Sequence, residues 1–130
     1  MDGALGLIET RGLVAAIEAD LLEDDAPRLC GYIRSVLPLD STMVHAKFAG
    51  EETIVMVPFF AEQENGKTDV VAGDIGYYPG RQTLCLFYGE TQPFGEVSYV
   101  ARVRSNLEGL ARCGRRLLET GHLPVRMERA

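Results

Sequence analysis

The chain has 130 residues, 46% of them hydrophobic and 25% charged, with a formal net charge of −6; that suits one globular domain, residues 1–130, built on one core. The acidic balance argues against nucleic acid, whose phosphates call for a basic surface. No apolar run reaches the roughly 18 residues of a membrane span, and the opening MDGALGLIETRG lacks the regions of a signal peptide.

Residues 5–9 are apolar and read as a strand. Residues 13–22 are ambiguous: Ala15, Ile17, Ala19 and Leu21 alternate as in a half-buried strand, while Leu13, Ala16, Ile17 and Leu21 fit a helical stripe. Arg11-Gly12 between the two runs permits a tight hairpin. Asp24-Asp25-Ala26-Pro27 reads as a helix start, with acidic residues at the positive end and Pro in the first turn. Leu29, Tyr32, Ile33, Val36 and Leu37 then form an amphipathic stripe that Pro38 ends, giving a helix over about 26–37.

Residues 42–48 and 53–57 read as strands around a turn at Ala49-Gly50-Glu51-Glu52. Residues 58–72 read as a solvated loop anchored by Phe59-Phe60. Asp74–Tyr78 and Gln82–Tyr88 are β-rich runs joined by Pro79-Gly80, where Gly80 is expected to supply the positive φ of a type II turn. Gly89 to Glu96 reads as an irregular loop and Val97–Val103 as a strand. Ser105-Asn106-Leu107-Glu108 matches a capping box with Ser105 at the cap, opening a helix over about 105–120 that Gly121 closes. Leu123–Met127 is a last strand. About eight strands with two helices fit a closed barrel, since closure leaves no free edges; strand count alone also allows an α+β sandwich.

The run GDIGYYPGRQTLCLFYGET (residues 73–91), with LLEDDAPRLCGYIRSVLPL and HAKFAGEE upstream, resembles small prokaryotic proteins of cyclophilin-like fold over residues 12 to about 120. That resemblance implies a mainly β, closed barrel with two capping helices, and a strand at 13–22. Residues 4–20, ALGLIETRGLVAAIEAD, also resemble the opening of bacterial microcompartment shell proteins. There the second half is a helix, and the likeness implies shell proteins as partners.

The candidate chemistry is sparse. Val44, Ala46 and Phe48 share the face expected to be core, so His45 is expected to point outward to a groove or solvent. His45 and Glu51 are the candidate catalytic pair, His45 as general acid or base and Glu51 orienting it. Glu52, Tyr78, Arg81, Cys85 and Tyr88 are the candidate binding residues: carboxylates accept amide hydrogens, Tyr offers a polar tip on an apolar body, and Arg reads carboxylates. The bland alternatives are a hydrogen-bonded strand histidine, solvated turn carboxylates and a cysteine used as a small hydrophobe.

Cys30, Cys85 and Cys113 lie too far apart in sequence for a zinc knuckle, and their odd number argues against a disulfide framework. No metal, no cofactor and a cytoplasmic setting are expected. An acidic block (Glu18 to Asp25) and a basic one (Arg102 to Arg116) allow complementary docking in a homo-oligomer.

Three function classes stay open. The first is a protein binding a small polar molecule bearing a carboxylate or amide, in amide or cyclic-amide catabolism as the resembled group suggests. The second is a small hydrolase or isomerase using His45. The third is a microcompartment component. Peptidyl-prolyl isomerase activity is not expected: cyclophilin isomerases share an RFHR-type strand, a QGGDF-type segment and a tryptophan loop, and this chain has HAKF, no QGG and no Trp.

Overall fold

The computed structural model describes residues 3–12, 14–92 and 95–130. In chain order the elements are β1 (Ala4–Glu9), β2 (Ile17–Leu21), α1 (Pro27–Val36), β3 (Leu39–His45), β4 (Gly50–Met56), β5 (Gly66–Lys67), β6 (Asp74–Tyr78), β7 (Thr83–Thr91), β8 (Val97–Ser105), α2 (Leu107–Thr120) and β9 (Leu123–Arg129). The strands run β2-β1-β9-β3-β4-β7-β6-β8, all antiparallel. Pairing of β2 with β8 closes the sheet into an eight-stranded barrel, and the two-residue β5 adds to β8. This is the cyclophilin-like architecture, with closure removing every long edge.

Alternation along each strand decides what fills the barrel. Met43 pairs with Val55, Val55 with Leu84, and Leu84 with Tyr77, and all four side chains are buried in one core. Leu29 and Ile33 of α1 join that core, as do Leu110 and Leu117 of α2. The helices plug opposite ends. α1 follows Leu21, where β2 ends, whereas α2 follows Ser105, which pairs with Glu18 where β2 begins.

Ile17–Leu21 is the expected strand, paired with Ala4–Leu7, and not the helix of a shell-protein opening; it is shorter than 13–22, and Leu13 lies outside the described residues. Several other local expectations are corrected. The cap of α2 is Asn106, not Ser105: its Oδ1 accepts from the Gly109 amide at 3.0 Å, and its Nδ2 donates to the Ala15 and Ala16 carbonyls. Ser105 is still paired in β8, so it cannot turn its side chain to a helix.

At α1 the acids Asp24 and Asp25 do not fall in the first helical turn. Glu64 meets the first amides instead, accepting from Leu29 at 2.9 Å and Arg28 at 3.2 Å. The β6–β7 turn has no positive φ at Gly80. The amides of Arg81 and Gln82 both donate to the Tyr78 carbonyl, and Gln82 takes the left-handed conformation at φ 53° that returns the chain to β7. The strand at 83–91 is longer than expected, Pro93 and Phe94 of the following loop lie outside the described residues, and the 58–72 loop carries β5.

Among the described residues no helix is long and apolar enough to cross a membrane.

Candidate functional site

The barrel wall made by β4, β7 and β6 has two apolar faces. Thr53, Val55, Leu84 and Leu86 face inward, so the residues between them face outward. Glu52 lies opposite Phe87 and Ile54 opposite Cys85. Cys85, Phe87 and Val97 form a second buried cluster on this outer face, with Ile54, Val70 and Tyr78 packed against it. Beside that cluster opens a groove of about 50 Å³. Glu52, Cys85 and Thr83 are among the residues that line it, and Tyr78 and Arg81 reach it from the β6–β7 turn.

Glu52 is the chemically unusual member. It is 6% exposed, and among the described residues it forms no ion pair. Burial pushes its carboxyl above the usual carboxylate range, and a hydrogen bond with the Cys85 thiol opposes the rise. Burial raises Cys85 strongly and the nearby Glu52 adds to it, so this thiol is not a thiolate nucleophile. Its other polar neighbour is Thr83, with Oγ1 3.9 Å from the sulfur. Arg81 is exposed at the rim and, among the described residues, also lacks an ion pair.

His45 lies elsewhere. The expected facing of its strand is reversed at two of its residues: Met43 is in the core and Phe48 is 62% exposed, while Ala46 is buried as expected but lines the outer groove. The strand ends at His45 and the chain turns through residues 46–49, with the Ala49 amide donating to the Ala46 carbonyl, so period-two counting cannot be carried on to Phe48. His45 therefore shares the inward side with Met43 and Thr53, at the barrel end that α2 covers. Its Nε2 is 2.7 Å from the Tyr88 hydroxyl, and the two rings meet edge to face. Burial holds the imidazole below its ordinary value, Lys47 acts the same way, and Glu51 opposes both. Burial and then Glu51 raise Tyr88, against Arg115.

Tyr88 fits only because residue 114 is glycine. A Cβ there would fall 2.3 Å from the Tyr88 ring. Glu51 braces the β4–β7 edge, its carboxylate accepting from the Glu90 amide at 2.8 Å and its carbonyl from Thr91 Oγ1 at 3.2 Å.

The seven residues singled out from sequence thus divide. Glu52, Tyr78, Arg81 and Cys85 gather at the outer groove, and His45, Tyr88 and Glu51 at the α2 end. Ile54 and Val97, which give the groove its apolar wall, went unnoticed. The alternation of Glu52 and Ile54 against Thr53 and Val55 is the signal that finds the first of them. The three cysteines are separate, buried thiols; burial chiefly pushes Cys30 up to about 12 and Cys113 to about 11. Among the described residues no group of three or more His, Cys, Asp or Glu side chains is placed to hold a metal ion.

The sequence matches the family described as "Protein of unknown function (DUF3830)" over residues 7–128. The chain belongs to the DUF3830 family. No curated protein matches it. The solved structures that share its fold include AF2241 and McbB. The hypothetical protein AF2241 from Archaeoglobus fulgidus is 27% identical, with a TM-score of 0.73, covering 99% of this chain and 95% of that one. McbB, solved in complex with tryptophan, is 19% identical with a TM-score of 0.86. The match covers 96% of this DUF3830 chain but 44% of McbB, so the chain spans under half of that protein's length.

Proposed function

We propose that the protein binds a small metabolite bearing an amide or a carboxylate in the outer groove over Glu52. One observation carries this reading. Glu52 is buried in a largely apolar groove and, among the described residues, forms no ion pair, and buried charges are otherwise paired or neutralised. A ligand N–H, from an amide, a ureido group or an amine, would give Glu52 a stronger partner than the Cys85 thiol. Arg81 at the mouth offers a planar fork to a carboxylate or carbonyl. Ile54 and Val97 provide an apolar wall for a short carbon skeleton, and a space of about 50 Å³ suits a small group better than a long chain. Tryptophan, present in the McbB structure, combines an amine, a carboxylate and an apolar body, and is one compound to titrate.

The test is calorimetric titration with ureido acids, cyclic amides and tryptophan, followed by Glu52→Gln and Arg81→Ala. Binding by the native chain that weakens at least about tenfold in both variants is expected, as for loss of a charge-assisted hydrogen bond. Failure of every compound, or affinities indifferent to both substitutions, would count against the groove.

A hydrolase or isomerase reading rests on the His45–Tyr88 pair. A neutral imidazole 2.7 Å from a phenol is a competent proton relay. In that reading His45 is the base and Glu51 tunes its charge. His45→Ala abolishing turnover of an amide substrate, with binding intact, would favour it over simple binding.

A further inference from the structure

A second concavity lies on another side of the molecule, between α2 and the connection from β1 to β2. Its volume is about 410 Å³. Leu123, Val14 and the buried Cys113 give it an apolar floor, and Arg112, Arg115 and Arg116 from α2 stand around it. The helix puts 112 on the same side as 115 and 116, one turn apart.

Elsewhere among the described residues, five arginines are held by acids. Arg11 holds Glu9, Arg34 holds Glu23, Arg102 holds Asp74, Arg104 holds Glu18 and Asp20, and Arg126 holds Asp40. Among the described residues Arg112 and Arg116 have no ion pair, and Arg115 has only an exposed contact with Glu108 at 3.6 Å. Within the cleft the opposing acids are Glu9, which Arg11 grips through its side chain and its backbone amide, and Glu119. The overall charge of −6 does not cancel a local cation cluster, because charges beyond about 8 Å are largely screened at physiological salt.

We infer that this cleft is a binding site for a small dianion, carrying carboxylate or phosphate groups, held by Arg112 and Arg116 with Arg115 at the side. Guanidinium forks read either oxyanion bidentately, and the apolar floor accommodates a short carbon skeleton between them. The site is independent of the outer groove and of Arg81.

The experiment is titration of the full chain with malonate and with inorganic phosphate at low ionic strength, using acetate as the monoanion comparison. Both or either dianion is expected to saturate, with acetate weaker. Arg112→Ala with Arg116→Ala should weaken the dianion at least about tenfold. Arg28→Ala with Arg129→Ala, which removes the same charge elsewhere, should change nothing. Arg112→Lys with Arg116→Lys keeps the charge, protects against a folding defect in the alanine variant, and should fall between. A tighter malonate identifies a carboxylate ligand, and a tighter phosphate a phosphorylated one. The inference fails if neither dianion saturates, if the remote pair weakens binding as much as the cleft pair, or if binding depends on Arg81 instead.

Discussion

Tyr77→Phe isolates one atom that ties a long loop to the barrel. Tyr77 is 0% exposed, yet its hydroxyl is fully used: it accepts from the Ala61 amide at 3.0 Å and donates to the Phe59 carbonyl at 3.1 Å. Its ring stacks on Phe59, which stacks in turn on Tyr32 of α1. Phenylalanine keeps the ring and the stack and removes only the oxygen. Two hydrogen bonds disappear, and the Ala61 amide, on a residue 6% exposed, is left buried without an acceptor. A stranded buried donor costs roughly 1–3 kcal/mol and an ordinary lost bond about 1 kcal/mol, so the loss should total about 2–4 kcal/mol. Equilibrium urea unfolding should show a lower midpoint with an unchanged slope, because the same surface is exposed. Hydrogen exchange should quicken across residues 58–64. A loss below about 0.5 kcal/mol, with no change in exchange, would mean the loop is held by its side chains and the hydroxyl reasoning is wrong.

The other predictions are briefer. Burial puts the folded-state value of Glu52 above its unfolded one, so its contribution is whole below the unfolded value and is lost as pH rises through the folded one. Glu52→Gln should therefore match the native chain at acid pH and exceed its stability at neutral and alkaline pH; parallel stability–pH curves would refute this. Asn106 has φ 67° and both caps α2 and grips the β1–β2 connection. Its replacement by Ala should cost about 1–2 kcal/mol through the lost cap, plus backbone strain that Gly avoids. Denaturation midpoints ordered native, Gly, Ala are expected, and Ala at or above Gly would contradict that. Gly114→Ala drives a methyl into the Tyr88 ring, so a loss of about 1–3 kcal/mol and an altered NMR titration of His45 should appear together. A native-like titration would mean that Tyr88 does not govern the imidazole.

What could be read from the residues alone was whatever depends on local pattern. The amphipathic stripe of α1, the close of α2 at Gly121 and the hairpin runs around residues 79–82 all announce themselves within a dozen residues. The resemblance to cyclophilin-like proteins supplied the barrel, and with it the strand at 17–21 that periodicity left undecided. The missed helix starts share one cause: each depends on a partner distant in sequence. Glu64 meets the start of α1 from 35 residues away, and Asn106 reaches the Ala15 carbonyl across 91. The facing of His45 failed for a different reason. Its strand stops at that residue, and alternation means nothing once the chain turns. The burial of Glu52 is likewise set by Phe87 across the sheet, not by its neighbour Glu51.

The seams that close the barrel also bear on how quickly it can form. β1 meets β9, and β2 meets β8, so segments near residues 4–21 wait for segments near 101–129. Loop entropy must be spent before such distant pairings give anything back, which slows the search relative to a protein of local contacts. During synthesis the β1–β2 hairpin emerges before β8 and β9 and has both outer edges unsatisfied until those strands follow. Such an interval favours strand exchange with other nascent chains. Refolding should accordingly be a slow, concentration-sensitive process, with yield set by how dilute the chains are kept.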